Sequence, residues 1–175
     1  MFATLYNKVE KRQEWLECAI QGAELLKQFG HDGKYNWYFS LTREGNPLVE
    51  PYNIFSYTFT AMAFAQLYKA THNEEYAVIA KRTFDIIVSK IDNPKGKWNK
   101  LHPDSRKIKN FALPMIICNL SIEMEFLLEK NFLYNTIDYA INEVMNVFLR
   151  PELDGIIIEN VNEDVVYLTP LKVAW

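Results

Sequence analysis

Leu16, Ala19, Ile20, Ala23, Leu26 and Phe29 recur at spacings of three and four, which predicts an amphipathic helix over about 13–29 that ends at Gly30. From about 53 to 70 the apolar positions Phe55, Phe59, Met62, Ala63, Phe64 and Leu67 surround most of the circumference. Such a helix is expected to be buried on most sides, with Phe59 and Phe64 in the core. After a short break at His72-Asn73, Ala77, Ala80, Phe84 and Ile87 mark one face of a third helix over 74–91, whose other face is charged. A fourth, very apolar helix is predicted over 110–129, with Pro114 tolerated in its first turn because the missing N–H would have no partner there. A fifth follows Lys130-Asn131 and runs to about 149, with Ile137, Ala140, Ile141, Val144 and Phe148 on one side.

The period changes to two at Trp37, where Trp37, Phe39 and Leu41 alternate with Tyr38, Ser40 and Thr42. Gly45 and Pro47 make the following Arg43–Pro47 segment a turn, and Leu48-Val49 can return as a short strand. The stretch GIIIENVNEDVVYL reads as a second hairpin around Asn162-Glu163-Asp164. Short breaks near Lys11, His72-Asn73 and Lys130-Asn131 alternate with long connections at 31–52, 92–108 and 150–168. In stacked antiparallel helical hairpins, alternate connections lie at the same end, so the long segments gather at one face, where a site is expected. An incomplete α/α barrel or a helical solenoid would give this order. Inserts ahead of the apolar helices favour the barrel, because they would rim a central pocket.

With 175 residues, 49% of them apolar, the chain is expected to form one domain over 1–175. The longest apolar runs fall short of the roughly twenty residues that span a bilayer, so no membrane partner is expected. A net charge of −3 with scattered Lys and Arg leaves no electrostatic footprint for nucleic acid. No export signal opens the chain, and Cys18 and Cys118, without CxxC spacing or a nearby His, are expected to be two buried thiols in a reducing cytoplasm. His31, His72 and His102 fall in loops or breaks and are expected to be solvated. No nucleophile elbow, phosphate loop or HExxH occurs, and no metal or cofactor is expected. Glu50, Glu123 and Glu125 could be imagined as paired glycosidase carboxylates, but solvated faces are the better expectation. Tyr52, Phe55 and Trp98 are candidate aromatic contacts at the rim of a sugar-sized pocket.

The blocks LTREGNPL, EPYNIFS, AMAFAQLYKAT, DNPKGKWNK, KNFALPMIICNLSIE and PELDGIIIENV resemble, in order and from about Phe2 to Asp164, the N-acylglucosamine 2-epimerase (renin-binding protein) family. The resemblance implies an all-α fold, here an incomplete (α/α)6 barrel of helical hairpins with small β-hairpin inserts. It also implies interconversion of N-acetylglucosamine and N-acetylmannosamine by acid–base proton transfer at C2, with histidines as the acid and base. Another aldose–ketose isomerase or epimerase on the same barrel, or a non-catalytic helical-hairpin module, are the alternative readings. The family's Asn-Pro-Gly-His-x-x-Glu motif finds no match where this chain reads DVVYLTPLKVAW, so the chain is expected to be a fragment without catalytic residues, inactive alone. The residues expected to touch an amino sugar are Phe55, Met115 and Asn119, pointing inward, with Arg43 and Trp98 on the rim. Tyr57 stands where the family usually carries an acidic residue. An unclosed barrel would expose the apolar sides of its inner helices, so a homo-oligomer is expected.

Overall fold

The structure is a computed structural model that describes residues 1–50, 53–94, 108–162 and 165–170, with the backbone alone at 162 and 165–170. The chain divides into two compact units, Met1–Asn99 and Lys100–Trp175.

The first unit holds α1 (Phe2–Lys8), α2 (Gln13–Phe29), the hairpin of β1 (Ser40–Leu41) and β2 (Pro47–Val49), α3 (Phe55–Thr71) and α4 (Glu74–Ser89). α3 packs along α4, and α1 lies against both α2 and α3. Ala61, Ala65 and Ala80 are fully buried, and small side chains there let the helices approach while Phe64, Phe84 and Ile87 fill the space between them. Asn7 pins α1 to α3, its Nδ2 donating to the Gln66 carbonyl at 2.7 Å. The chain reverses between α3 and α4 in two residues. His72 takes a left-handed conformation at the end of α3, and the Asn73 side chain accepts from the Glu75 N–H to start α4, with Glu74 and Glu75 favourably placed in its first turn.

The insert between α2 and α3 is anchored by Trp37, only 1% exposed, whose Nε1 donates to Thr83 Oγ1 at 3.1 Å. Its alternation is interrupted, because Phe39 is 53% exposed although two residues from Trp37, and the ladder shifts register between Ser40 and Leu41. Pro47 pairs with Leu41 as the opening residue of β2, a place where a ladder loses no donor. Gly45, at φ 84°, lies over the Phe29 ring so closely that a Cβ would come within 2.9 Å of it.

The second unit contains β3 (Lys109–Asn110), α5 (Ala112–Glu123), α6 (Lys130–Glu143), a π-helical turn (Val144–Phe148), β4 (Leu149–Arg150), a 3₁₀ turn (Pro151–Leu153), β5 (Ile156–Asn162) and β6 (Val165–Pro170). β3, β4 and β6 all pair antiparallel with β5, so the expected second hairpin is the heart of a four-stranded sheet. Ile158 of β5 is fully buried. The fourth predicted helix is shorter than expected: α5 ends at Glu123, and turns carry the chain over Met124 and Leu127, both buried, to α6.

Two further expectations are corrected. Phe59 is 62% exposed while Phe64 is 1% exposed, because the apolar circumference of α3 has neighbours on only part of its width. Cys18 is exposed and Cys118 half-buried, both free thiols.

Candidate functional site

The end of the first unit where the long insert enters α3 is built around polar side chains. Asn53 Oδ1 accepts from the Phe55 N–H at 2.9 Å, satisfying one of the donors at the start of α3. One turn further, the buried Tyr57 hydroxyl donates to Asn36 Oδ1 at 3.1 Å and accepts from Lys90 Nζ at 2.8 Å. Lys90 Nζ also reaches Asn36 Oδ1 at 3.4 Å and sits 4.1 Å from the centre of the Tyr57 ring. Asn36 Nδ2 donates to Asp32 Oδ2 at 2.8 Å, and Asp32 Oδ1 accepts from the backbone N–H groups of Lys34 and Asn36. The insert, the first turn of α3 and the end of α4 thus share one knot.

Its electrostatics follow from burial beside one carboxylate. Burial, reinforced by the negative charge of Asp32, pushes the Tyr57 phenol up to about 12. Burial lowers Lys90, and attraction to Asp32 opposes that shift. For Asp32 burial acts upward, but the donors from Asn36 and from the backbone of Lys34 and Asn36 outweigh it and hold the carboxyl below its usual range. Beside the knot, His31 stacks on Tyr35 with ring centres 5.0 Å apart and meets Trp37 edge-on at 4.7 Å, while its Nδ1 accepts from the Gly33 N–H. His31 is therefore held in an aromatic cluster rather than freely solvated, whereas His72 is exposed in the α3–α4 turn.

Of the residues expected to touch a ligand, Phe55 is half-buried at the first position of α3 and shares a face with the exposed Phe59. Arg43 is exposed at the turn of the β1–β2 hairpin. Met115, 48% exposed, and Asn119, also exposed, lie one turn apart on α5, in line with Ile122 at 53%. Trp98, with Tyr52 and His102, lies outside the described residues. α5 itself is positioned by Asn110, whose Oδ1 accepts from the Ala112 N–H at 2.8 Å while its Nδ2 donates to Asn160 Oδ1 at 2.8 Å. Glu123 is the last residue of α5, about 17 Å along the axis from its first turn, so it is remote from the end where the long connection enters. Among the described residues no group of three or more His, Cys, Asp or Glu could hold a metal ion, and no helix is long and apolar enough to cross a membrane.

The knot at Tyr57 and Lys90 was not among the expected site residues. The sign available in the sequence is Tyr57 itself, a phenol in the first turn of a largely apolar helix.

The sequence model of the N-acylglucosamine 2-epimerase (GlcNAc 2-epimerase) family matches residues 1–169. The chain belongs to that family. Similar family members are the N-acylglucosamine 2-epimerases of Bos taurus, 31% identical over 125 residues that make up 69% of this chain and 30% of the relative, and of Mus musculus, 29% identical over 173 residues, 94% and 40%. The chain therefore spans less than half the length of these relatives. Among solved structures, a sugar epimerase from a ruminal bacterium superposes with a TM-score of 0.76 at 15% identity, covering 93% of this chain and 45% of that one. Cellobiose 2-epimerase from Bacillus thermoamylovorans gives 0.75 at 15% identity, covering 90% and 44%. These neighbours are of the (α/α)6 barrel type, and this chain, mostly helical with small strand hairpins, has the fold of an incomplete barrel of that kind.

Proposed function

We propose that this chain is a part of a sugar 2-epimerase that interconverts N-acetylglucosamine and N-acetylmannosamine by removing and returning the proton at C2, and that it contributes substrate contacts rather than the acid and base. The observation that carries the choice of sugar is the pair of relatives named N-acylglucosamine 2-epimerase, at 31% and 29% identity. The uncharged, exposed line of Met115, Asn119 and Ile122 supports it further: the Asn119 amide can exchange hydrogen bonds with an N-acetyl or hydroxyl group while Met115 and Ile122 pack against the C–H faces of a pyranose. Phe55, Arg43 and Trp98 complete the proposed contacts. The histidines within the described residues do not supply a proton relay, because His31 is engaged by Tyr35, Trp37 and Gly33 and His72 caps the short turn after α3. Two free thiols agree with a cytoplasmic location, and association with a second chain is part of the same reading.

Ligand-observed NMR with N-acetylmannosamine, N-acetylglucosamine, mannose and cellobiose tests this. Binding of the two N-acetylated sugars in preference to the others is expected, without exchange of the C2 proton in deuterated water by the chain alone. Preference for cellobiose would overturn the choice of sugar, and C2 exchange by this chain would overturn its non-catalytic part.

A further inference from the structure

We infer that Lys90 is a positioning residue for the amino sugar: it holds the insert over 31–49 against the first turn of α3, and so fixes the bearing of Arg43 relative to Phe55, two of the contacts proposed above. Its part in binding rests on that reading of the sugar contacts, whereas its hold on the insert does not.

Three observations carry it. First, the hairpin of β1 and β2 cannot hold its own position. Its strands have two and three residues, every residue of β2 is exposed, and Phe39, just ahead of β1, is exposed as well. A two-stranded ribbon with so little buried is marginal in water, so its bearing depends on the anchors at its stem. Secondly, the stem has an anchor besides Trp37. Asn36, its neighbour in the chain, places Oδ1 3.1 Å from the Tyr57 phenol and 3.4 Å from Lys90 Nζ, and Nζ lies 2.8 Å from the phenol oxygen. These three side chains come from the insert, from α3 two residues after Phe55, and from the C-cap of α4. Thirdly, stability is a poor reason for an ammonium at this place. Its hydrogen bonds go to a neutral phenol and a neutral amide, burial lowers its pKa, and attraction to Asp32 offsets that only in part. A half-buried charge held by neutral partners adds little net stability, and what it supplies here is one fixed arrangement of the groups around it. Lys90 acts on the sugar only through these neighbours.

The test compares the 175-residue chain with Lys90→Met, Arg43→Ala and the double variant. Lys90→Met removes the ammonium and keeps an apolar stem, so the fold should remain, as circular dichroism checks. Hydrogen exchange reads the insert without any sugar. The N–H groups of Tyr38, Phe39 and Thr42 donate to the carbonyls of Gly30, Val49 and Asn46, and in Lys90→Met they should exchange about 10-fold faster, while 61–67 of α3 exchange as in the parent. Titration with N-acetylmannosamine reads the consequence for binding. Lys90→Met and Arg43→Ala should each weaken it about 5- to 10-fold, and the double variant no more than about two-fold beyond either, because Lys90 acts through the place of Arg43. If Lys90→Met does not fold, Asn36→Ala, which removes the insert's share of the knot from outside the helices, takes its place with the same expected results. Unchanged exchange of the three insert amides would overturn the inference. So would equal acceleration at 61–67, the mark of a merely structural role, and so would losses of affinity that multiply in the double variant. A parent that binds no amino sugar would sink the function proposed above, and exchange then decides on Lys90 by itself.

Discussion

Lys90 Nζ donates to the Tyr57 hydroxyl at 2.8 Å across 33 residues of sequence, and through it the end of α4 is tied to the first turn of α3. Tyr57 is 2% exposed, so its oxygen has no water to replace either partner. Tyr57→Phe removes at once the acceptor of the Lys90 ammonium and the donor to Asn36. It should destabilise the chain by about 1–3 kcal/mol, the cost of leaving buried polar groups without partners. Urea unfolding followed by circular dichroism measures this. Lys90→Met should cost less, because it also relieves the burial of a charge.

The same pair sets a pH dependence. The phenol of Tyr57 is raised from 10.0 to about 12, so the folded state keeps its proton where the unfolded chain has lost it. Its contribution to stability is complete below pH 10 and is lost as the pH rises from 10 to 12. Lys90 shifts the other way, and its lowered value makes the folded chain gain stability as the pH rises toward 10.5. A spectrophotometric titration should show one of the ten tyrosines ionising near pH 12, and that late step should vanish in Tyr57→Phe.

Phe59 and Phe64 offer a comparison that separates an exposed face from a core on one helix. Phe64→Ala should cost about 3–5 kcal/mol, as for a large buried aromatic, and Phe59→Ala well under half of that. Equal losses in the two urea unfolding curves would contradict the placement of Phe59.

Gly45 is the turn residue with least freedom. Gly45→Ala forces a side chain into a left-handed conformation, about 1–2 kcal/mol, and against the Phe29 ring. Combining it with Phe29→Ala should recover part of the loss, seen as non-additivity in a double-mutant cycle.

These residues also show what the sequence made legible. Period and breaks located both ends of α2, and those of α3 and α4 within two residues, because an apolar stripe is a local signal. Which side of α3 has a neighbour is not local, and so Phe59 and Phe64, five positions apart and of one type, could not be told apart. β3 and β4 have two residues each, too few for any period, and exist because β5 pairs with them. The Tyr57–Lys90 knot joins distant segments and has no spacing to betray it. Of the site, helical spacing put Met115 and Asn119 on one stripe of α5, but the inward direction expected for them came from the resemblance, and both side chains are exposed, whereas Trp98 lies outside the described residues.

The central claim is that this chain holds an amino sugar on the face of α5. Methyl-labelled methionine NMR of the chain, with the side-chain amide of Asn119 observed in parallel, tests it most directly. Titration with N-acetylmannosamine should shift the Met115 methyl and the Asn119 amide together and leave the Met1 methyl in place, and Asn119→Ala should weaken binding about 5- to 10-fold, the loss of one hydrogen bond. Saturating sugar that moves neither Met115 nor Asn119 would contradict the account.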